Sequence, residues 1–511
     1  MSTSPDSTTD SFTPAALDDA IQTIAAIATP PGAGGVGIVR ISGPAAFAVG
    51  LALFRRAHGT VDGEGAPPTH QLTYGQVVDP ATGEVVDEVL AAFMRAPHTY
   101  TREDIVELNA HGGPLVLRRI LALALAHGAR AAQAGEMTLR AFLNGRLDLA
   151  QAEAVMALIN AESDAALRLA QRQLSGELSA RVGAVRTTAL AAMVRIEASN
   201  DFPEEEVPQP DRAELSALVE KARAGVEELL AGADRGRLLR EGVRVAIVGR
   251  PNVGKSSLLN ALLRAERAIV TPFAGTTRDT VEALATIQGV AVHLVDTAGL
   301  TASDDPVERI GVERARAAAG SADLALFVLD ASQPLTPADH AAAGDLRALG
   351  FGQGAALDAP ERDGTTPRER ADAAYAGDAE RALLLVLNKA DLPAAFAAAA
   401  AHELWPGAPI IHSSTLAAGG IATLEQAIAG LVLGGQTSSA DPLVASVRHR
   451  DALRRAAISL TTAAGALAGF IPLDFVALDL REALDALGEI TGETATADLL
   501  DRIFAEFCIG K

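Results

Sequence analysis

The sequence predicts a multidomain α/β protein with an N-terminal α+β domain, a discontinuous all-helical domain, and a parallel-sheet α/β domain inserted into the helical one. The chain has 511 residues, which at about 100 to 200 residues per domain is enough for three domains. In residues 241–435 short apolar strands alternate with helical stretches, a pattern typical of a parallel sheet. On either side, in residues 137–240 and 436–511, apolar residues recur at helical spacing. We therefore expect the two helical segments to pack together around an insertion whose ends lie close in space.

The first 136 residues divide into a tail and a mixed domain. Residues 1–18 are polar and rich in Pro, Ser and Thr, which predicts a disordered tail. Residues 19–136 combine a helix-like run with strand-like runs, and so predict the α+β domain; these runs are Val36–Ile41, Val85–Met94, Asp104–Leu108 and the helix Pro114–His127. A further segment, residues 351–381, has little periodicity and is predicted to be a surface insertion in the α/β domain.

Composition excludes several classes of protein. The 43 Lys and Arg residues against 64 Asp and Glu residues give a net charge of −21, so any contact with RNA must be a local basic patch or be delegated to a partner. The single cysteine, Cys508, permits no internal disulfide and suits a reducing compartment. The first residues do not resemble a signal peptide, and no apolar run reaches the ~18 residues of a membrane span. We therefore expect a cytoplasmic protein.

A phosphate-binding motif opens the α/β domain. Gly249-Arg-Pro-Asn-Val-Gly-Lys-Ser256 matches G-x-x-x-x-G-K-[ST] and lies between a predicted strand, Val243–Val248, and a predicted helix, Ser257–Leu263. In such a loop backbone N–H groups surround the phosphates, and the helix N-terminus adds partial positive charge. Lys255 is then expected to reach the β and γ oxygens, and Ser256 to ligate Mg²⁺.

Three later motifs select the nucleotide. Asp296-Thr-Ala-Gly299 closes a strand, where the Asp can hold Mg²⁺ through water. Asn388-Lys-Ala-Asp391 closes another strand, and the carboxylate of Asp391 can accept two hydrogen bonds from guanine, whereas adenine would leave it unpaired. Ser413-Ser-Thr415 follows a fifth strand and resembles, imperfectly, the base loop of GTPases. The α/β domain is therefore predicted to be a Ras-like P-loop domain that binds GTP.

The hydrolytic group is not the usual glutamine, because Leu300 follows Gly299 in this chain. Glu308 is the nearest residue whose carboxylate could orient the water, although an exposed glutamate at a helix start is the alternative. The predicted catalytic residues are Glu308 and Lys255. The predicted GTP-binding residues are Asn252, Val253, Gly254, Lys255, Ser256, Ser257, Thr271, Pro272, Phe273, Ala274, Gly275, Thr276, Thr277, Asp296, Thr297, Ala298, Gly299, Asn388, Lys389, Ala390, Asp391, Ser413, Ser414 and Thr415.

Several segments together resemble one family. GRPNVGKSSLLNAL, TPFAGTTRDTVE, DTAGL followed by DPVERIG, and the terminal Phe507-Cys-Ile-Gly-Lys511 are similar to the MnmE (TrmE) family of bacterial tRNA-modification GTPases. The N-terminal segments ATPPGAGGVGIVRISG, TREDIVELNAHGG and AFLNGRLDLAQAEA resemble the same family. The likeness covers nearly all of the chain except the tail and residues 351–381.

The resemblance implies a folate-binding N-terminal domain and a homodimer that works with the FAD-dependent protein MnmG. Together they would place an aminomethyl-type or carboxymethylaminomethyl group on the wobble uridine of tRNA, with K⁺-dependent GTP hydrolysis that is activated when two G domains meet. By resemblance, Arg40, Glu107, Arg146 and Lys511 would contact 5-formyl- or methylene-tetrahydrofolate, with Arg146 standing where the family has Lys. Asn252, Thr271, Phe273 and Thr276 would hold K⁺, and Ser256 and Thr277 would hold Mg²⁺.

Two other functions stay open. A ribosome-assembly GTPase would carry a basic RNA-binding module after the G domain, whereas Pro442–Lys511 is helical and acidic. A folate-dependent one-carbon transferase regulated by GTP is not separated from the first function by the sequence.

Three local features have competing interpretations. Gly32–Gly37 spells G-x-G-x-x-G, but a strand-like run follows it, so a dinucleotide site is not expected. His111 could ligate a metal, yet a turn before a helix is favoured. Cys508 could be a nucleophile; packing as a half-buried thiol beside Phe504 and Phe507 is favoured.

Overall fold

The fold is that of a computed structural model, which describes residues 22–56, 68–201, 210–265, 282–296, 319–352, 381–417, 419–433 and 442–510. The chain forms two compact units, one made of residues 1–156 with 491–511 and the other of residues 157–490. The predicted tail and residues 353–380 of the predicted insertion lie outside the described residues. Among the described helices, none has the length and apolar character needed to span a membrane.

The first unit is built on a seven-stranded sheet. Its strand order is β3-β4-β5-β6-β2-β1-β7, and every pair is antiparallel except β1 with β7. The strands are β1 Ile24–Ile27, β2 Gly34–Ser42, β3 Phe54–Arg56, β4 Leu72–Val78, β5 Val85–Met94, β6 Ile105–Gly112 and β7 Arg130–Ala131. These strands and the helix Pro114–Ala126 confirm the mixed α+β character expected of this region.

Helices complete the first unit. They are Ala46–Leu53, Pro114–Ala126, Glu136–Leu143 and Ala497–Ala505, and the helix Leu149–Ile159 begins in it. The end of the chain returns to this unit, because Phe504 and Phe507 pack in one apolar cluster with Leu149 and Ala152. An antiparallel bridge between Ala134 and Ile509 adds the last residues to the body of the unit.

The second unit contains a six-stranded sheet in the order β13-β12-β11-β8-β10-β9. Its strands are β8 Val243–Val248, β9 Glu282–Ile287, β10 Val290–Asp296, β11 Leu324–Asp330, β12 Ala382–Asn388 and β13 Ile410–His412. The five strands other than β9 are parallel to one another, which confirms the parallel sheet predicted for this domain. The prediction missed β9, an antiparallel edge strand that a two-residue turn, Gln288-Gly289, joins to β10.

Helices surround this sheet and form the rest of the unit. Those beside the sheet are Lys255–Ala265, Pro337–Ala348, Ala398–Leu404 and Gly420–Leu433. The others are Asp164–Leu174, Glu177–Asp201, Arg212–Leu230, Ala233–Glu241, Val447–Ala468 and Leu473–Thr491. The last part of the helical segment predicted over residues 137–240 is thus two helices that break at Ala231-Gly232, where a Cβ on Gly232 would lie 3.3 Å from Pro442.

The helical segments before and after the sheet contact each other. The amide of Gln173 donates to the Leu443 carbonyl at 2.6 Å, and Arg450 pairs with Asp234 at 3.0 Å. The chain therefore enters the sheet from one group of packed helices and returns to the same group after the sheet.

Candidate GTP site and cofactor pocket

The phosphate loop follows β8, a central strand whose side chains are mostly buried. Asn252 and Gly254 have φ angles of +64° and +98°, in the left-handed region that Asn tolerates and Gly prefers. A Cβ on Gly254 would lie 2.4 Å from the Asn388 amide nitrogen, so glycine is required there. Backbone N–H groups of such a loop are free to turn toward an anion.

The side chain of Lys255 contacts the backbone of this loop. Lys255 Nζ donates to the Gly249 carbonyl at 2.7 Å and to the Arg250 carbonyl at 2.9 Å, and the residue is 9% exposed. Ser256 and Ser257 are exposed in the first turn of the helix that begins at Lys255. This places an ammonium and two hydroxyls at one helix N-terminus, as phosphate and Mg²⁺ binding require.

The base loop lies beside the phosphate loop. Asn388, which is 3% exposed, donates from Nδ2 to the Val253 carbonyl at 2.8 Å. Ser414 Oγ donates to Asp391 Oδ1 at 2.5 Å and accepts from the Leu416 and Ala417 N–H groups at 3.1 Å each. Asp391 is thereby fixed at the surface with its carboxylate held by a hydroxyl that the following turn orients.

Two buried polar atoms of this loop lack partners within the described residues. They are Asn388 Oδ1 and the hydroxyl of Ser413, whose residue is fully buried. The Ser413 carbonyl accepts from the Ala390 N–H at 3.0 Å, which joins the two halves of the loop. A buried polar atom without a partner costs about 1–3 kcal/mol, so a ligand that supplies hydrogen bonds here would be favoured.

Asp330, the last residue of β11, was not among the predicted site residues. Its Oδ2 lies 2.7 Å from Lys389 Nζ, and the same Nζ donates to the Asn252 carbonyl at 3.1 Å. Burial raises the pKa of Asp330, but hydrogen bonds from Lys389 and Ser332 outweigh it and hold the pKa below its ordinary value. The available signal was an acid ending a wholly apolar strand beside the motif strand β12.

Arg250 of the phosphate loop turns away from the nucleotide motifs. Its Nη2 donates to Gln333 Oε1 at 2.9 Å, and its Nε lies 3.4 Å from the buried carboxylate of Asp339. Both partners lie at or before the first turn of the helix Pro337–Ala348.

Some predicted GTP-site residues lie outside the described part of the chain. They are residues 271–277 and 297–299 together with Glu308; of Asp296, the backbone alone is described, at the end of β10. The structure brings together the other predicted groups, namely Asn252–Ser257, Asn388–Asp391 and Ser413–Thr415, at the carboxyl ends of β8, β12 and β13. That edge is where open parallel sheets bind ligands.

A second cluster lies in the first unit. Arg40 on β2 stands opposite Glu107 on β6, and its Nε and Nη2 both lie 2.8 Å from Glu107 Oε1. Arg40 Nη1 also donates to the carbonyl of Gly510 at 3.4 Å. The predicted pair is therefore assembled next to the end of the chain, while Lys511 itself lies outside the described residues.

Tyr100 completes this cluster and was not among the predicted residues. Its ring centroid lies 4.7 Å from the Arg146 guanidinium and 5.7 Å from that of Arg40. Arg146 Nη1 donates to the Tyr100 carbonyl at 3.0 Å, and the Tyr100 hydroxyl lies 2.9 Å from that of Thr138. An aromatic residue directly before the TREDIVELNAHGG segment was the signal that could have identified it.

A buried ionic network supports the loop that carries Tyr100. Arg140, 2% exposed, bonds Glu103 at 3.1 Å and Glu136 at 2.9 Å, and Arg130 also bonds Glu136, at 2.7 Å. Burial raises the pKa of Glu136, but hydrogen bonds from Arg130, the Gln133 N–H and Arg140 outweigh it and lower the pKa below its ordinary value. The Glu136 carboxylate is therefore ionised at neutral pH, and together with Glu103 it holds Arg140 in place.

The structure also describes Cys508 and His111. Cys508 is exposed, so the expected half-buried thiol is wrong; Phe504 and Phe507 turn inward, and Cys508 turns outward. His111, for which a turn before a helix was favoured, lies within the strand β6, and its Nδ1 lies 2.8 Å from Asp87 Oδ1. No group of three or more His, Cys, Asp or Glu side chains suited to a metal occurs among the residues that the structure describes.

Comparisons with known proteins cover both units. The family model for the MnmE helical domain matches residues 149–508, and that for the TrmE N-terminus matches residues 23–146. The G domain of the FeoB iron transporter of T. maritima is similar over 36% of this chain and 96% of its own, with 23% identity and a TM-score of 0.25.

Curated relatives match at almost full length. Proteins named tRNA modification GTPase MnmE are 49% identical over 500 residues in Chloroflexus aurantiacus and 46% identical over 490 residues in Symbiobacterium thermophilum. Each alignment covers 96% of this chain and 99% of the relative. A third such protein, from Levilactobacillus brevis, is 43% identical over 494 residues, covering 96% of this chain and 98% of its own. With a phosphate loop and a guanine-type base loop at one sheet edge, and with this likeness along nearly its whole length, the chain belongs to the MnmE family of GTPases.

Proposed function

We propose that this GTPase drives modification of the wobble uridine of tRNA in the cytoplasm. It would do so as a homodimer together with MnmG, with a tetrahydrofolate as the one-carbon donor. The names of its relatives support tRNA as the substrate. The arrangement of Asp391, Ser414 and the buried atoms of Asn388 and Ser413 carries the GTP part of the proposal.

The base loop favours guanine for a chemical reason. A carboxylate accepts hydrogen bonds only, and guanine presents two N–H groups on one edge while adenine does not. Asp391 Oδ1 accepts a hydrogen bond from Ser414 Oγ at 2.5 Å, so the position of the carboxylate is set before the base arrives. A preorganised acceptor loses little entropy on binding, which strengthens the discrimination.

The phosphate loop offers one described ligand for Mg²⁺ and one for K⁺. The Ser256 hydroxyl is exposed at a helix N-terminus, the place a Mg²⁺ ligand beside phosphates must occupy. Asn252, also exposed, offers an amide oxygen, a neutral ligand suited to a monovalent cation. Thr271, Phe273 and Thr276 would complete the K⁺ site, Thr277 would complete the Mg²⁺ site, and Glu308 would orient the attacking water. Such cations would neutralise charge that develops between the β- and γ-phosphates.

The cluster in the first unit fits a folate. The cluster combines a carboxylate, two guanidiniums and an aromatic ring, which suits a ligand with an N–H edge, a flat ring and carboxylate groups. Both contacts from Arg40 go to Glu107 Oε1, so in the described part of the chain Oε2 is left to accept from a ligand. Lys511 would add a cation beside Gly510. When bound, the folate would supply the one-carbon unit.

The net charge of the chain and the exposed apolar side chains of its first unit support the proposed partners, MnmG and a second copy of this chain. A net charge of −21 disfavours binding of tRNA by this chain alone, which is consistent with a partner such as MnmG that shares the RNA contact. The first unit exposes large apolar side chains, with Val36 62%, Leu72 63% and Leu115 72% exposed. Exposed apolar area of this kind is typical of an interaction surface, here proposed to serve the homodimer.

Reconstitution tests the proposal. The full chain, MnmG, unmodified tRNA, GTP, methylene-tetrahydrofolate, KCl and ammonium or glycine as the source of the amino nitrogen should give modified wobble uridine by nucleoside mass spectrometry. Omitting GTP or the folate, or replacing K⁺ by Na⁺ at equal ionic strength, should reduce the product at least tenfold. Full product without folate would reject the donor, and equal rates of GTP hydrolysis in the two salts would reject the K⁺ site.

A further inference from the structure

Asp330 lies outside every nucleotide motif yet contacts the base loop. It ends β11 in direct register with Asn388, the last residue of β12. Its side chain is 1% exposed, and Oδ2 lies 2.7 Å from Lys389 Nζ. Oδ1 accepts from the Ser332 hydroxyl at 2.6 Å and from the Ser332 N–H at 3.0 Å. The carboxylate is therefore fixed on one side by its own loop and holds Lys389 on the other.

Lys389 transmits this contact to the phosphate loop. Its Nζ also donates to the Asn252 carbonyl at 3.1 Å. Lys389 and Asn252 have φ angles of +61° and +64°, in a backbone region that lysine in particular rarely adopts. A strained backbone conformation persists only where surrounding contacts fix it. The Asp330–Lys389–Asn252 chain supplies such contacts at both loops.

We propose that Asp330 is a positioning residue for nucleotide binding, which holds Lys389 so that the base loop and the phosphate loop are arranged before the nucleotide arrives. The neighbouring contacts agree with this role. The Ala331 N–H donates to the Asn388 carbonyl at 3.0 Å, and Gln333 accepts from Arg250 of the phosphate loop at 2.9 Å. The segment after β11 thus contacts both loops. The inference depends on the GTP site alone and not on the proposed folate, K⁺ or tRNA.

Asp330→Asn isolates the contact. The amide oxygen can keep both Ser332 bonds, while the amide nitrogen faces the Lys389 ammonium and cannot accept from it. Asp323→Asn is the matched control, because Asp323 precedes the other end of β11 and pairs with Arg237 at 3.1 Å, away from the nucleotide loops.

Affinity of the full chain for fluorescent GDP and GTP analogues should fall about 10- to 100-fold in Asp330→Asn, the effect of losing a charged hydrogen bond at a buried group. Asp323→Asn should stay within threefold of the unchanged chain. In the GTPase assay the KM of Asp330→Asn should rise while kcat at saturating GTP stays within threefold.

A double-mutant cycle separates positioning from general destabilisation. In a Lys389→Met background, adding Asp330→Asn should change nucleotide affinity by less than threefold, because the partner is already absent. Unchanged affinity in Asp330→Asn would overturn the proposal. A loss that is equally large in the Lys389→Met background would also overturn it, since the carboxylate would then act on the fold and not through Lys389.

Discussion

At the carboxyl end of β12, the Asp391 carboxylate is held by the Ser414 hydroxyl, with 2.5 Å between Oγ and Oδ1. That hydroxyl is itself fixed by the N–H groups of Leu416 and Ala417. A side chain that makes three hydrogen bonds has one orientation, so the residues after β13 orient the acceptor that we propose for the base. Base selection at the proposed site would thus depend on two loops.

Asp391→Asn should reverse the base preference. The amide presents N–H₂ where guanine also donates, so GTP affinity should fall by up to about 10⁴-fold, while XTP, which offers an acceptor, should gain affinity. Competition binding with GTP and XTP measures the change. GTP binding equal to that of the unchanged chain, with no gain for XTP, would contradict the assignment of Asp391.

Glu136→Gln should change stability in a pH-dependent way. The pKa of Glu136 is lowered from an ordinary value of 4.5, so its contribution is present above that pH and is lost as pH falls through the folded-state value. At pH 7 the variant should lose about 1–3 kcal/mol of unfolding free energy. The difference in unfolding free energy between Glu136→Gln and the unchanged chain should become smaller in acid. Urea titrations of the first unit's transition at several pH values test this, and a gap independent of pH would contradict it.

Among elements, the strands of the nucleotide sheet were the most predictable. Buried parallel strands are continuous apolar runs, so β8, β11 and β12 stand out from their surroundings. The edge strand β9 has the mixed pattern EALATI and is defined by its pairing with β10, for which the Gln288-Gly289 turn is the local signal. A continuous apolar run indicates a strand that is buried on both faces. This signal is weak for a strand at the edge of a sheet.

Site residues divide in the same way. Those inside motifs were found from spacing, because phosphate and base binding fix the residue types along the chain. Asp330 and Tyr100 contact residues that are distant in the sequence, Lys389 and Arg146, and no local pattern encodes these contacts. The exposure of Cys508 was missed for a similar reason, since both neighbouring aromatic residues turn inward and leave the thiol outside.

The final segment of the chain is an element of the first unit. Gly510 has a φ angle of +93° and a Cβ there would lie 2.4 Å from the Ile27 carbonyl, so the backbone passes tightly beside β1. Deleting residues 508–511 should weaken tetrahydrofolate binding at least about tenfold, because the contact to Arg40 and the proposed Lys511 cation are lost.

GTP hydrolysis should persist in the same deletion, since the nucleotide loops belong to the other unit. Calorimetry with 5-formyl-tetrahydrofolate and a steady-state GTPase assay on one preparation measure both effects. Undiminished folate affinity would remove the end of the chain from the pocket.

For the whole molecule, the two sites belong to separate compact units, residues 1–156 with 491–511 and residues 157–490. We therefore expect that binding at one proposed site can be removed without removing the other, and each variant above lies in one unit. The proposed tRNA modification would need both, because it would use GTP and the one-carbon donor in one reaction. A GTPase alone or a folate enzyme alone would need only one of the two units. The proposed protein differs from both because its activity would require the two units together.

The nucleoside composition of tRNA from cells that lack this chain tests that claim most directly. Mass spectrometry should show unmodified wobble uridine. The modification should return with the intact gene, but not with Asp391→Asn or with the chain that lacks residues 508–511. Fully modified wobble uridine in the cells without this protein, or full rescue by both variants, would contradict the account.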